Sequence, residues 1–121
     1  MRAVAALVAV AALAVPVAAW AVRAPTLTER AAITRALPGP IRKVPAGCVW
    51  FDIRMSSKAG WASVTPRWLV GPSGSDPCLR YAADGKYLLR RAKGTWRVVF
   101  DGSDLPPCTL RAPRDLGACS S

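Results

Sequence analysis

The 121 residues contain no histidine. That removes the commonest general base, and with it any Ser-His or Cys-His pair. No C-x-x-C pair occurs either, so a thiolate or imidazole metal centre has no ligand pattern to start from. A Gly-rich phosphate loop, S-x-x-K and G-x-S-x-G are all absent. Acids are scarce, with seven Asp and Glu in all. Asp76, Asp84, Asp101, Asp104 and Asp115 lie in or beside turn-forming stretches. Asp52 stands next to Arg54 on a candidate strand, the arrangement of an ordinary surface ion pair. Nothing requires two carboxylates facing each other across a cleft. The expectation is a chain that is not an enzyme and uses no cofactor and no metal.

What is present begins at the N-terminus. Met1-Arg2 is a short positive start, and residues 3–22 (AVAALVAVAALAVPVAAWAV) carry no charge. A positive start, an apolar run and a small-x-small stop at Ala19-Trp20-Ala21 form the pattern of a secretory signal peptide cut after Ala21. Pro16 is placed to break the apolar helix ahead of that site. The run also has the ~20 residues needed to span a bilayer, so a retained N-terminal anchor is the alternative. Ala inserts weakly, which favours cleavage. Either way Arg2 favours the cytoplasmic side and residues 22–121 are expected outside, secreted or extracellular, as one small domain.

Four cysteines, Cys48, Cys78, Cys108 and Cys119, suit that oxidising compartment. Two disulfides would stabilise a domain of this size, each by about 2–4 kcal/mol. Three pairings are possible. Gly74-Ser75-Asp76-Pro77-Cys78 echoes Gly102-Ser103-Asp104-Leu105-Pro106-Pro107-Cys108, each an Asx-type turn followed by proline and cysteine. The echo suggests that Cys78 bridges Cys108, leaving Cys48 for Cys119.

Lys and Arg number 17 and the formal net charge is +10. A solvated basic surface and a GC-rich coding bias account for part of that. Attraction to an anionic cell-wall polymer or membrane surface is the sharper reading. Nucleic acid is not expected, because the chain is exported and has no recognition motif.

Residues 26–37 predict a helix. Thr26 and Glu29 form a capping box, Leu27, Ala31, Ile33, Ala36 and Leu37 give an apolar face, and Pro38-Gly39-Pro40 stops it. Residues 48–56 alternate, with Val49, Phe51, Ile53 and Met55 on one face and Trp50, Asp52 and Arg54 on the other. Residues 61–70 read as a second strand, an edge or bulged one because of Pro66. Residues 71–77 are a loop. Cys78–Ala83 reads as the start of a strand, and Lys86–Ala92 and Thr95–Phe100 as a hairpin around Lys93-Gly94. Residues 113–116 suit one helical turn. The expected fold is therefore α+β: one N-terminal helix packed on a curved antiparallel sheet of four to five strands, cystatin-like or nuclear-transport-factor-like in outline. Trp50, Trp61, Trp68 and Trp96 are expected in its core or at its rim.

The residues Arg54, Ser56, Trp61, Ala62, Arg91, Gly94, Trp96, Val98, Gly102, Ser103 and Cys108 form a spaced pattern over residues 48–108. In it the chain resembles small secreted proteins of actinobacteria, a group without an assigned activity. The resemblance implies export and no reaction. Two roles remain open. One is an extracellular binding or accessory module at the cell envelope, meeting an anionic partner through a rim formed by Lys86, Arg90, Arg91, Lys93 and Arg97, with Arg91 on the opposite face from Lys86 and Arg90. The other is a protein–protein interaction domain or inhibitor of another exported protein, presenting residues 71–77 as a preorganised loop.

Overall fold

The computed structural model describes residues 22–121. The leader or anchor reading of residues 1–21 lies outside them. No helix among the described residues is long and apolar enough to cross a membrane.

Helix α1 (Leu27–Ala36) begins at a complete capping box. The Glu29 backbone N–H donates to Thr26 Oγ1 at 3.1 Å, and Thr26 N–H donates to Glu29 Oε1 at 3.0 Å. Arg23 closes a fork on both Glu29 oxygens at 2.7 and 2.9 Å. Those guanidinium bonds, with the Thr26 backbone bond, lower the Glu29 pKa to about 2. Ile33, Leu37 and, from the single turn α2 (Gly39–Arg42), Ile41 are buried. Leu27 is 86% exposed, so the apolar face starts a turn later than the sequence pattern indicated.

Four strands follow in an antiparallel meander, β1 (Val49–Met55), β2 (Trp61–Trp68), β3 (Lys86–Ala92) and β4 (Thr95–Gly102), paired in the order β1-β2-β3-β4 as an open sheet. The alternation in β1 puts Ile53 and Met55 against Val64 and Ala62 of β2 in register. With Leu89 and Trp96 they meet Ile33, Leu37 and Ile41 in the main core. Pro66 sits inside β2 without harm. It pairs with Phe51 of β1, whereas β3 reaches only as far as Val64, so the missing donor faces an unpaired stretch. In β3 the register slips between Leu88 and Leu89. These neighbours point to opposite faces, and both are buried. Leu89 joins the helix-covered core. Leu88 joins Trp61 and Leu116 in a second cluster on the other face, covered by the C-terminal segment and Val22. The helix therefore covers one face only, and the tail supplies part of the second cover.

Two expectations are corrected. Residues 78–83 form no strand. Tyr81 N–H bonds Cys78 O and Ala82 N–H bonds Leu79 O, making a 3₁₀ turn over Leu79–Tyr81. The disulfides are Cys48–Cys78 and Cys108–Cys119, not Cys78–Cys108 and Cys48–Cys119. The first echo loop is an Asx turn, with Asp76 accepting from Cys78 N–H at 2.8 Å and from Gly71 N–H at 2.6 Å. It folds back on the start of β1, bringing Cys78 to Cys48. In the second, Cys108 N–H bonds Ser120 O and Ser120 N–H bonds Pro106 O, so Cys108 faces the returning tail. The two disulfides fit an oxidising compartment.

Asp115 fastens that tail to the β1–β2 turn. Its carboxylate accepts from Ser56 Oγ at 2.7 Å, Ser57 N–H at 2.8 Å and Ser57 Oγ at 2.7 Å. Burial pushes its pKa up, but the Ser57 and Ser56 bonds outweigh it and hold the group below its ordinary value. A carboxylate lowered in the folded state stabilises at neutral pH, and the contribution is lost as pH falls through the lowered value. Asp115→Asn is expected to cost about 1–2 kcal/mol at pH 7 and much less in acid. Urea unfolding of both proteins at neutral and acid pH checks this. An equal difference at both would contradict the clasp.

Candidate functional site

The strands are antiparallel, so the β1–β2 and β3–β4 turns lie at the same end of the sheet. Each turn uses positive φ: Gly60 at +84° in the first, Lys93 at +53° and Gly94 at +76° in the second. Arg91 N–H donates to Gly60 O at 2.8 Å and locks the two hairpins together. The Cys108–Cys119 loop brings Arg111 to the same end. Between these pieces lies a cleft of about 520 Å³, lined by Lys58, Gly60, Trp61, Arg90, Arg91 and Arg111 among others. No carboxylate lines it.

Arg90 is held in it by a ring rather than by a counterion. The Arg90 guanidinium lies 5.4 Å from the centroid of Trp61, on the tail-covered face, whereas that of Arg91 lies 5.8 Å from the centroid of Trp96, on the helix-covered face and away from the cleft. Trp61 and Trp96 are both buried, so each arginine rests on a fixed floor. Among the described residues, ion pairs engage only Arg23 with Glu29, and Arg54 and Arg67 with Asp52. Arg90 is also directly opposite Arg97 in the β3–β4 register. Like charges in that position repel, and a bound anion would relieve the repulsion. Guanidinium groups present paired donors that match carboxylate or phosphate oxygens.

Of the five rim residues expected from the sequence, the structure brings the Arg90 side chain into the cleft and sets Arg97 across from it, while Arg91 borders the cleft through its backbone bond to Gly60 and carries its guanidinium over Trp96 on the opposite face, where strand alternation put it. Lys93 occupies the hairpin turn. Lys86 does not join them. It pairs with Gly102 at the far end of β3, roughly 13 Å along the strand from Arg90. Lys58 and Arg111 were missed. Lys58 could have been placed by its turn, since that turn must lie beside the β3–β4 end of a meander. Arg111 gives no sequence signal, because only the Cys108–Cys119 pairing positions it.

The other expected surfaces are also in view. Residues 71–75 form an exposed loop braced by Asp76 and the Cys48–Cys78 bond. Trp68 is half-buried and donates its indole N–H to Ala83 O at 2.7 Å, while Trp50 is 56% exposed. No cluster of three or more His, Cys, Asp or Glu that could hold a metal occurs among the described residues.

Comparison of the chain with protein-family models, with curated proteins and with solved structures finds no match.

Arg111 adopts a left-handed backbone, φ 56° and ψ 32°. That conformation disfavours an L side chain by about 1–2 kcal/mol, and glycine accepts it. Arg111→Gly is expected to leave stability unchanged or raise it by up to about 1 kcal/mol, and to weaken anion binding. Thermal unfolding and a binding titration on the same preparation check both signs. Loss of stability with unchanged binding would show that the guanidinium serves the fold.

Proposed function

We propose that this chain is a non-enzymatic extracellular binding module that works at the cell envelope, and that the Lys58–Arg90–Arg111 cleft takes an anionic cell-wall polymer. One observation carries the reading: three cationic side chains, those of Lys58, Arg90 and Arg111, share one cleft that no carboxylate lines. On a merely solvated basic surface, acids and bases interleave. Here Asp52 is spent on Arg54 and Arg67, and Glu29 on Arg23, while the cleft cations keep their charge available. The apolar run at residues 3–22, the two disulfides and the resemblance to secreted actinobacterial proteins support the export that this reading needs.

A repeating polymer is favoured over a flat membrane because the cations lie inside a cleft between two hairpins and the tail. A strand of anions can enter such a cleft, whereas a planar surface would meet its walls first. The test is titration with linear polyphosphate and, separately, with phosphatidylglycerol-containing vesicles, at low and high salt. Saturable binding to polyphosphate that weakens as the screening length falls from about 10 Å at 0.1 M to about 3 Å at 1 M salt is expected. Binding to vesicles alone would move the site to a membrane surface. Binding to neither would end the proposal.

A further inference from the structure

A second surface lies at the other end of β1. Hydrogen bonding fixes which way the edge strand faces. Leu69 N–H donates to Cys48 O at 2.9 Å and Ser56 N–H to Trp61 O at 3.0 Å, so the even-numbered residues bond toward β2. The odd-numbered ones, Val49, Phe51, Ile53 and Met55, turn their backbone groups outward. Met55 is already taken, since Arg23 exchanges two bonds with it at 3.0 and 2.8 Å. The Phe51 carbonyl accepts Arg30 Nη1 at 2.9 Å, which shows that a donor from outside the sheet can reach this edge.

Beside Val49 and Phe51 a groove of about 530 Å³ runs between β1 and the two helices. Ile41 and Val44 contribute to its apolar floor. Arg30, Arg35 and Arg42 stand around it, and no acid lines it. Arg30 also stacks on the exposed Trp50, 4.5 Å from the ring centroid.

We propose that this groove takes an extended acidic peptide segment of a partner protein, added as a fifth strand along Val49–Phe51. Open edge groups supply the main-chain bonds. The apolar floor receives alternate side chains, and the three arginines receive the carboxylates between them. An acyl carboxylate would meet the floor and the arginines but leave the edge backbone unused. Arg30 holds the position of an incoming strand's N–H. Its swing onto a peptide carboxylate would free the Phe51 carbonyl for the ladder. The site is independent of the basic cleft, at the opposite end of the sheet.

The probe is a short acetylated peptide of alternating valine and aspartate, added to the whole disulfide-bonded domain. Amide NMR and Trp50 emission follow it. Saturable shifts centred on Val49 and Phe51, with slowed exchange of their N–H groups, are expected. Methylating the peptide nitrogens that face the edge should weaken binding about tenfold or more, since each methyl group removes a main-chain bond. Arg35→Gln with Arg42→Gln should weaken it by a similar factor, and Arg90→Gln with Arg91→Gln should not. Equal affinity for the N-methylated peptide would overturn strand addition. So would shifts confined to Arg90 and Arg91, or a groove filled by dodecanoate and not by the peptide.

Discussion

Replacing Cys48 and Cys78 together by alanine is expected to cost about 3–4 kcal/mol of folding stability. Their bond closes a loop with a sequence separation of 30, and loop-closure entropy at that length sets the figure. A domain of this size commonly has only about 5–15 kcal/mol in hand. The loss therefore takes a large part of it. The bond ties the turn at Leu79–Tyr81 to the start of β1, next to the Leu69–Cys48 backbone bond. Cys48 is itself buried, so the variant also loses packing. Urea unfolding of the variant and the parent checks the value. A loss under about 1 kcal/mol would mean that the loop is held by Asp76 and Trp68 alone.

Neutralising the cleft is expected to have the largest effect on binding. Lys58→Gln, Arg90→Gln and Arg111→Gln together should lower polyphosphate affinity about a hundredfold, three charge-assisted bonds at about 1 kcal/mol each. Stability should change little. The side chains are exposed, and stacking of an exposed arginine on a tryptophan ring is worth about 0.5–1 kcal/mol. Arg67→Gln is the control. It removes a cation already paired with Asp52 at 3.2 Å and should weaken binding less than threefold. Per charge removed, a cleft arginine should therefore count for more than Arg67. Equal effects per charge would make net charge, rather than the cleft, the determinant.

The parts of the fold that rest on local rules were legible in the sequence. Thr26 and Glu29 announced α1, strict alternation announced β1, and Lys93-Gly94 announced the β3–β4 hairpin. Leu79–Tyr81 was misread because a few apolar and aromatic residues after a cysteine suit a strand or a turn equally. The Cys48–Cys78 bond and the Asp76 bonds, which are tertiary and local respectively, settle that segment as a turn. The cysteine pairing failed for a related reason. Two similar Asx turns say how the chain bends, but the partner of each cysteine depends on what lies opposite after the bend. Leu88 and Leu89 illustrate a third limit. Adjacent leucines break the alternation, and only a sheet covered on both faces, by the helix and by Leu116, accommodates the pair. At the candidate site, Arg90 and Arg91 were visible as a run of charge on a strand. The meeting of Arg90 with Lys58 and Arg111 depends on strand register and on the tail disulfide, neither of which a one-dimensional pattern contains.

The most direct test is the salt dependence of polyphosphate binding, measured for the parent and for the Lys58→Gln, Arg90→Gln, Arg111→Gln variant. On a polyanion, each cation that meets the chain releases counterions and adds just under one to the slope of log affinity against log salt. If the cleft is the site, the parent line falls steeply and the variant line is shallower by about two to three. Parallel lines would contradict the account, because the three cleft cations would then contribute nothing to the binding.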